Sequence, residues 1–299
     1  MFKHILIPLD GSALAESALP TALTLAGSLN ARLTLLRIPQ TVETMLPALA
    51  GNYGTLIAAE EARAEREAHN YLDTLRNRYA KPDLPIEIAI AHGDVASAIL
   101  NCAEQHHHDL IVMATHGYTG FTRFMLGSIT EKVIPHAPCP VFIVRDKRPP
   151  QTILVPLDGS PRAEAALGPA LSLARHFNSR LLLAHAIEPI DDISRGILEE
   201  IESGMGRSLQ TRLEAEAQSY LANLRDQHRA TVPHIDTVVT IGPAAVALLE
   251  LTREHNIDLI AIATHGRTGL SRWLYGSVTE KVLRHVTCSL LVIRTAERK

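Results

Sequence analysis

Glycine and hydroxyl residues recur in this sequence at a spacing suited to holding a phosphate group. The first instance runs Ala114-x2-Gly117-x9-Gly127-Ser128, and Thr130 follows two residues later. Glycines let the backbone approach a ligand closely. Ser128 and Thr130 would lie at the start of a helix, where free N–H groups and the helix dipole favour an anion. No lysine lies within the run, so the spacing predicts a phosphate site made by main-chain amides.

The same run occurs again 149 residues later. In this second run the corresponding residues are Ala263, Gly266, Gly276, Ser277, Val278 and Thr279. Each run also holds a histidine, His116 or His265. Either histidine could contact a phosphate or act as a general base, or could pack locally and shape the loop. Ser128 and Ser277 could equally be helix N-caps, a role compatible with phosphate binding.

A second polar loop precedes each run and would lie near it. Asp10-Gly11-Ser12 follows an apolar stretch near the N-terminus, and Asp158 begins the same tripeptide in the second half. Each aspartate would lie at the carboxyl end of a strand, where open parallel sheets bind their ligands. The aspartates could therefore be ligand-binding residues, or they could simply accept hydrogen bonds at the start of a helix.

These recurrences show that the chain contains two copies of one domain. Residues 5–12 match residues 153–160 at seven of eight positions, and residues 114–145 match residues 263–294 at 16 of 32 positions. The Pro149-Pro150 pair ends any preceding strand and stiffens the link between the copies. We therefore expect a first domain at 1–146, a linker at 147–150 and a second domain at 151–299.

Apolar strands alternate with amphipathic helices in each half. The expected strands of the first half are 3–9, 32–38, 85–91, 109–114 and 141–145, and those of the second half lie near 152–157, 180–187, 234–240, 258–263 and 289–294. The expected helices of the first half are 12–29, 55–80, 95–107 and 127–136, and 39–54 is expected to form a loop. This alternation indicates right-handed crossovers. The fold class is therefore α/β, with two tandem open-twisted five-stranded parallel-sheet domains.

Composition excludes several classes of protein. A net charge of −3 and an aromatic content of 4% argue against a nucleic-acid partner. No apolar run is long enough to cross a membrane, and the three cysteines form no CxxC pair. We expect no membrane partner and a reducing, cytoplasmic location.

The paired motifs resemble those of the universal stress protein family, whose ATP-binding members carry a Gly-x2-Gly-x9-Gly-Ser/Thr loop after strand four. The resemblance covers nearly the whole chain as two tandem domains, although Ala114 and Ala263 replace the first glycine of the loop. It implies ATP bound between strands one and four, with Mg²⁺ or Mn²⁺ as an accompanying ion. Asp10 and Asp158 would contact the adenine–ribose part, and Ile38 and Ala186 would flank the base.

The resemblance implies two sets of nucleotide-binding residues and no separate metal ligands. The sets are Pro8, Asp10, Ile38, Ala114, His116, Gly117, Gly127, Ser128, Ile129 and Thr130 in the first half, and Pro156, Asp158, Ala186, Ala263, His265, Gly266, Gly276, Ser277, Val278 and Thr279 in the second.

The sequence leaves three hypotheses for the function. The chain has no Gly-x4-Gly-Lys-Ser/Thr loop, no Gly-x-Ser-x-Gly elbow and no HExxH site, and it offers no catalytic residue with an evident partner. The first hypothesis is an ATP-binding sensor or regulator of the stress response, with at most slow ATP hydrolysis. The alternatives are an adenine-nucleotide hydrolase or transferase, and an interaction module whose sites bind nothing.

Several other features have structural interpretations. His106-His107-His108 do not converge on one metal ion, because adjacent helical residues point about 100° apart, so they are predicted to be surface or helix-end residues. Cys139 and Cys288 occupy equivalent positions and are predicted to be buried, with a redox role left open. The two copies are expected to pair through strand five, because unpaired edge strands are a liability. An unknown protein partner and a homodimer also remain open.

Overall fold

A computed structural model describes residues 2–40, 54–115, 126–146, 148–191, 194, 197, 200–201, 205–266 and 277–296. The chain divides into two compact units, Met1–Pro149 and Pro150–Lys299. Each unit alternates strands and helices in the same order.

The first unit begins with a strand, two short helices and a second strand. In chain order its elements are β1 (His4–Leu9), α1 (Ala13–Glu16), α2 (Leu19–Leu29), β2 (Arg32–Arg37), α3 (Gly54–Tyr79), β3 (Ile86–Ile90), α4 (Val95–Gln105), β4 (Leu110–Ala114), α5 (Ser128–Val133), which continues as a 3-10 turn (Ile134–His136), and β5 (Val141–Val144).

The second unit repeats this order. Its elements are β6 (Thr152–Pro156), α6 (Pro161–Glu164), α7 (Leu167–Phe177), β7 (Arg180–Ile187), α8 (Met205–His228), β8 (Ile235–Ile241), α9 (Ala244–Glu254), β9 (Leu259–Gly266), α10 (Ser277–His285) and β10 (Ser289–Ala296).

Five parallel strands form the sheet of each unit, as the sequence predicts. The strand order is β3-β2-β1-β4-β5 in the first unit and β8-β7-β6-β9-β10 in the second. All pairings within each unit are parallel. The direction of winding reverses between β1 and β4 and between β6 and β9. This reversal opens a crevice at the carboxyl ends of those strands, where ligands bind in such sheets.

The central strands are apolar because helices cover both of their faces. Ile5, Leu6 and Ile7 of β1 have no exposed surface, and neither do Leu110 and Ile111 of β4. Removing such side chains from water supplies most of the stability of the sheet, at roughly 25 cal/mol per Å² of apolar surface.

An aspartate at the start of β4 fixes the position of β1. The carboxylate of Asp109 accepts hydrogen bonds from the backbone N–H groups of Lys3, at 2.6 Å, and of His4, at 3.0 Å. Asp258 accepts from Gln151 and Thr152, both at 3.0 Å. These aspartates lie at the amino ends of the strands, so they join neighbouring strands at the end of the sheet opposite the crevice.

The single helix expected at 12–29 is two helices. Ser12 is the N-cap of α1, and its hydroxyl oxygen accepts from the N–H of Ala15 at 3.1 Å. Pro20 then stands in the first turn of α2. A proline cannot continue a preceding helix, because it lacks an N–H and its ring clashes with the carbonyl four residues earlier.

The expectation for the histidine triplet is wrong in one respect. His106 lies at the end of α4 as expected. His108 is instead only 4% exposed. Its ring stacks on that of His4, with the centroids 3.9 Å apart. The positive φ of His107, 51°, turns the chain inward after the helix and places His108 in the interior.

Candidate functional site

A cavity of about 770 Å³ occupies the crevice of the first unit. It is lined by the ends of β1, β2 and β4, by the start of α5 and by one face of α3. The predicted residues in its wall are Pro8, Asp10, Ile38, Ala114, Gly127, Ser128, Ile129 and Thr130. Segments far apart in the chain therefore meet at one place because the sheet topology brings their strand ends together.

A cavity of about 230 Å³ occupies the equivalent place in the second unit. The predicted residues in its wall are Pro156, Asp158, Ala186, Ala263, Ser277, Val278 and Thr279. Three predicted residues, His116, Gly117 and Gly276, lie outside the described residues. His265 and Gly266 are described as the last residues of β9, for the backbone only.

Asp10 and Asp158 are held in the same way in the two units. The backbone N–H of Ser12 donates to Asp10 at 2.9 Å, and that of Ser160 donates to Asp158 at 2.9 Å. Partial burial acts to raise the pKa of each carboxyl. The hydrogen bonds from the serine outweigh it, so both pKa values lie below their ordinary value. Both side chains are therefore carboxylates at neutral pH, and both serve as acceptors at the mouth of a cavity.

The helix after the fourth strand presents its amino end to the cavity in each unit. Gly127, not Ser128, is the N-cap of α5, and this glycine makes no side-chain cap hydrogen bond at that helix end. The first N–H groups of a helix lack partners within the helix. In the second unit, the Thr279 hydroxyl lies 3.5 Å from the carbonyl oxygen of Ala263, so the start of α10 is next to the end of β9.

Sequence reasoning missed an arginine and a tyrosine in the first cavity. The guanidinium of Arg37 lies 5.9 Å from the ring centre of Tyr71 and donates to the carbonyl oxygen of Leu9 at 3.3 Å. Tyr71 in turn donates to the carboxylate of Glu16 at 3.0 Å. The long helix α3 is thus connected to α1 beside Asp10.

The second unit repeats part of this arrangement. Tyr220 donates to Glu164 at 2.8 Å, and His185 takes the place of Arg37, with its ring 6.2 Å from that of Tyr220. The recurrence of the glutamate and the tyrosine in both halves was the available sequence signal. Neither residue is near the motif in the chain, so only the packing of α3 and α8 places them at the cavities.

Among the described residues, no group of three or more His, Cys, Asp or Glu side chains is arranged to hold a metal ion. No helix in the described part of the chain is long and apolar enough to cross a membrane.

Comparison with known proteins gives one family for both units. The sequence pattern of the universal stress protein family matches residues 1–145 and again residues 150–294. A universal stress protein of Mycolicibacterium smegmatis is 26% identical over 303 residues, covering 97% of this chain and 96% of that protein. Universal stress protein YxiE of Bacillus subtilis is 32% identical over 148 residues, covering 48% of this chain and 100% of that protein.

A solved structure extends the likeness to the fold. The crystal structure of a universal stress protein from Archaeoglobus fulgidus matches with a TM-score of 0.72 and 17% identity, covering 99% of this chain and 97% of that one. At this identity the match concerns the fold alone.

Proposed function

Because this chain belongs to the universal stress protein family, we propose that each of its units binds an adenine nucleotide, ATP in the first instance, and that occupancy regulates a stress response. One observation carries the proposal. In both units a single cavity is lined by an aspartate after the first strand and by the amino end of the helix after the fourth strand.

The residues present suit the two ends of such a nucleotide. The Asp10 and Asp158 carboxylates would accept hydrogen bonds from ribose hydroxyls, which are donors. The amino ends of α5 and α10 would face the phosphates, where unpaired N–H groups and the helix dipole favour negative charge. Ile38 and Ala186 would contact the base.

The methyl groups of Ala114 and Ala263 stand where the family pattern has glycine. Both residues lie in the cavity wall and are neither fully buried nor fully exposed. Both also belong to regular strands, whose backbone any L-residue adopts. The alanines therefore reduce the space in the cavities without straining the chain.

Regulation by occupancy suits this site better than rapid turnover does. The described side chains of the site include no lysine and no general base with a partner that would activate it, and hydrolysis without a base would depend on electrostatic stabilisation alone. Mg²⁺ or Mn²⁺ would accompany ATP through its phosphate oxygens, since hard cations prefer oxygen ligands. We therefore propose at most slow hydrolysis.

The experiment is to purify the full chain, denature it and identify released nucleotides by mass spectrometry. The chain is then titrated with ATP after removal of any bound nucleotide. ATP at up to two molecules per chain is the expected result. Rapid release of ADP and phosphate would instead favour the hydrolase. Failure to retain or bind any adenine nucleotide would overturn the proposal and leave the interaction module.

A further inference from the structure

The residue near the carboxyl end of the second strand differs between the two units: Arg37 lines the first cavity, whereas His185 lies between Ala184 and Ala186, which line the second. Arg37 is the last residue of β2 and pairs in register with Leu9, the residue before Asp10. His185 holds the equivalent place in β7, one residue after Ala184, which pairs with Pro156. Each therefore lies beside the aspartate of its own cavity.

Arg37 gives the first site a charge that does not change with pH. It lines the cavity, its guanidinium packs against Tyr71, and it helps to hold the pKa of Asp10 low. A guanidinium stays protonated throughout the physiological range. The negative field of the Asp10 carboxylate is therefore offset at every pH at which the protein is folded.

His185 is placed to supply a charge that does change with pH. Its Nδ1 atom is buried and has no hydrogen-bond partner among the residues that the structure describes. Burial lowers its pKa below 6.5, against the opposing influence of Asp158. The imidazole is therefore neutral at pH 7 and above. When it gains a proton on acidification, the new charge lies beside the Asp158 carboxylate.

Other groups face His185 from the elements packed around it. Tyr220 of α8 stays neutral between pH 5.5 and pH 8, because burial and the Glu164 carboxylate raise its pKa far above that range. Glu164 of α6 accepts a hydrogen bond from the Tyr220 hydroxyl, and Val239 of β8 lies opposite His185 in the sheet. Arg162 of α6 lines the second cavity and stays cationic. Of these groups, His185 is therefore the one whose charge changes as the pH falls below 6.5.

We propose that this position determines how each nucleotide site responds to pH: the first site, with Arg37, has a fixed charge, and the second site, with His185, binds an anionic nucleotide more tightly as the pH falls. The inference rests on the proposed function and assigns it a regulation. A protonated His185 would offset the repulsion between Asp158 and the phosphates, as Arg37 offsets that of Asp10 at all times. The second site would then fill preferentially in acid.

The test measures each site alone within the full chain. Ala114→Leu is designed to fill the first cavity and leave the second, and Ala263→Leu does the reverse. ATP affinity is measured by calorimetry at pH 8.0, 7.0, 6.0 and 5.5 for both variants, with circular dichroism to confirm folding. The phosphates of ATP also titrate in this range, but they affect both sites equally. The readout is therefore the difference between the two sites.

The expected result is that acidification from pH 8.0 to 5.5 strengthens binding at the second site about fivefold more than at the first, which is the effect of one partly screened charge. Adding His185→Arg to the Ala114→Leu variant should abolish the excess. Adding Arg37→His to the Ala263→Leu variant should make ATP binding at the first site strengthen on acidification in the same way.

Equal pH dependence at the two sites, or an excess that survives His185→Arg, would overturn this inference and leave the proposed function intact. A chain without these substitutions that binds no adenine nucleotide at any of the four pH values would overturn both.

Discussion

The hydroxyl of Tyr71 donates a hydrogen bond to the carboxylate of Glu16 over 3.0 Å, joining two helices that are 55 residues apart in the chain. The second unit repeats the bond between Tyr220 and Glu164. In both units the bond lies beside the aspartate that follows the first strand, so it stabilises one wall of the cavity.

Tyr71→Phe should lower the free energy of unfolding of the first unit by about 1–2 kcal/mol, because the Glu16 carboxylate loses a partly buried donor. Chemical denaturation monitored by circular dichroism measures the change. Tyr220→Phe should act equally on the second unit. Tyr79→Phe, at the end of the same helix, provides a control. If Tyr71→Phe changes the free energy of unfolding no more than Tyr79→Phe does, the hydrogen bond between Tyr71 and Glu16 contributes nothing to stability.

Gly127→Val should remove one bound nucleotide per chain and leave the fold intact. The backbone of Gly127 has φ −61° and ψ 145°, which any residue adopts. The valine side chain would therefore act by occupying the space where a phosphate approaches the helix end. Gly276→Val should remove the nucleotide of the second site. Native mass spectrometry gives the stoichiometry, and a count that stays at two would show that the phosphates lie elsewhere.

Asp10→Asn should weaken ATP binding at the first site about tenfold, because an amide accepts less strongly from ribose hydroxyls than a carboxylate does. Asp158→Asn should do the same at the second site. Calorimetric titration of the full chain separates the two classes of site. The exposed Asp226, in the α8 helix, serves as the control position for an Asp→Asn change. If the Asp10→Asn variant binds ATP as tightly as the Asp226→Asn control does, Asp10 does not contact the ribose.

Acid should destabilise the first unit through His108. Burial, with the nearby His4 and His106, lowers the pKa of His108 to about 4. The unfolded chain, whose histidine pKa is near 6.5, therefore binds a proton before the folded chain does. Stability is retained above pH 6.5 and falls as the pH drops toward 4, by up to about 3 kcal/mol from this group.

His108→Ile tests this origin of acid sensitivity, because Ile257 is the equivalent residue of the second unit and is likewise buried. The variant should lose less stability than the parent chain between pH 7 and pH 4.5, measured as the shift in denaturation midpoint. The exposed His107 provides the matched control, since His107→Asn introduces the residue found at Asn256. An unchanged pH profile for His108→Ile would exclude His108 as the cause.

Cys139 should be unreactive in the folded protein. Cys288 is buried as predicted, whereas Cys139 is only partly buried. That partial burial still raises the pKa of Cys139 to about 12, with a further contribution from Asp109, and the thiolate is the nucleophilic form. Alkylation by iodoacetamide at pH 8 should be at least about a hundredfold slower in the native chain than in urea. Peptide mass spectrometry follows the modification, and a native rate close to the denatured one would reveal an accessible thiolate.

Local patterns in the sequence were enough to predict the strands. Apolar runs such as 4–9 and 110–114 were identified because strands covered on both faces must be continuously hydrophobic. Strand ends were predicted to within two residues, apart from β9, which ends three residues later than predicted. The break between α1 and α2 was missed, because the alanines and leucines on either side of Pro20 continue the helical pattern across it.

The repeated motif predicted residues that, where they are described, mostly line the two cavities, because loops at the carboxyl ends of β1 and β4 must meet once the sheet order is fixed. It did not predict Arg37 or Tyr71, whose place beside Asp10 depends on the packing of α3 over the sheet. It also did not predict that His108 would be buried against His4.

The sequence by itself determined the duplication, the family and the parallel α/β architecture, since these depend on periodicity and on motifs that are contiguous in the chain. Tertiary structure alone decided which charged groups surround each aspartate. Arg37 and His185 are equivalent in strand position, but the electrostatics of each depend on burial and on side chains from other elements. Those distances are set by packing, which no local pattern in the sequence encodes.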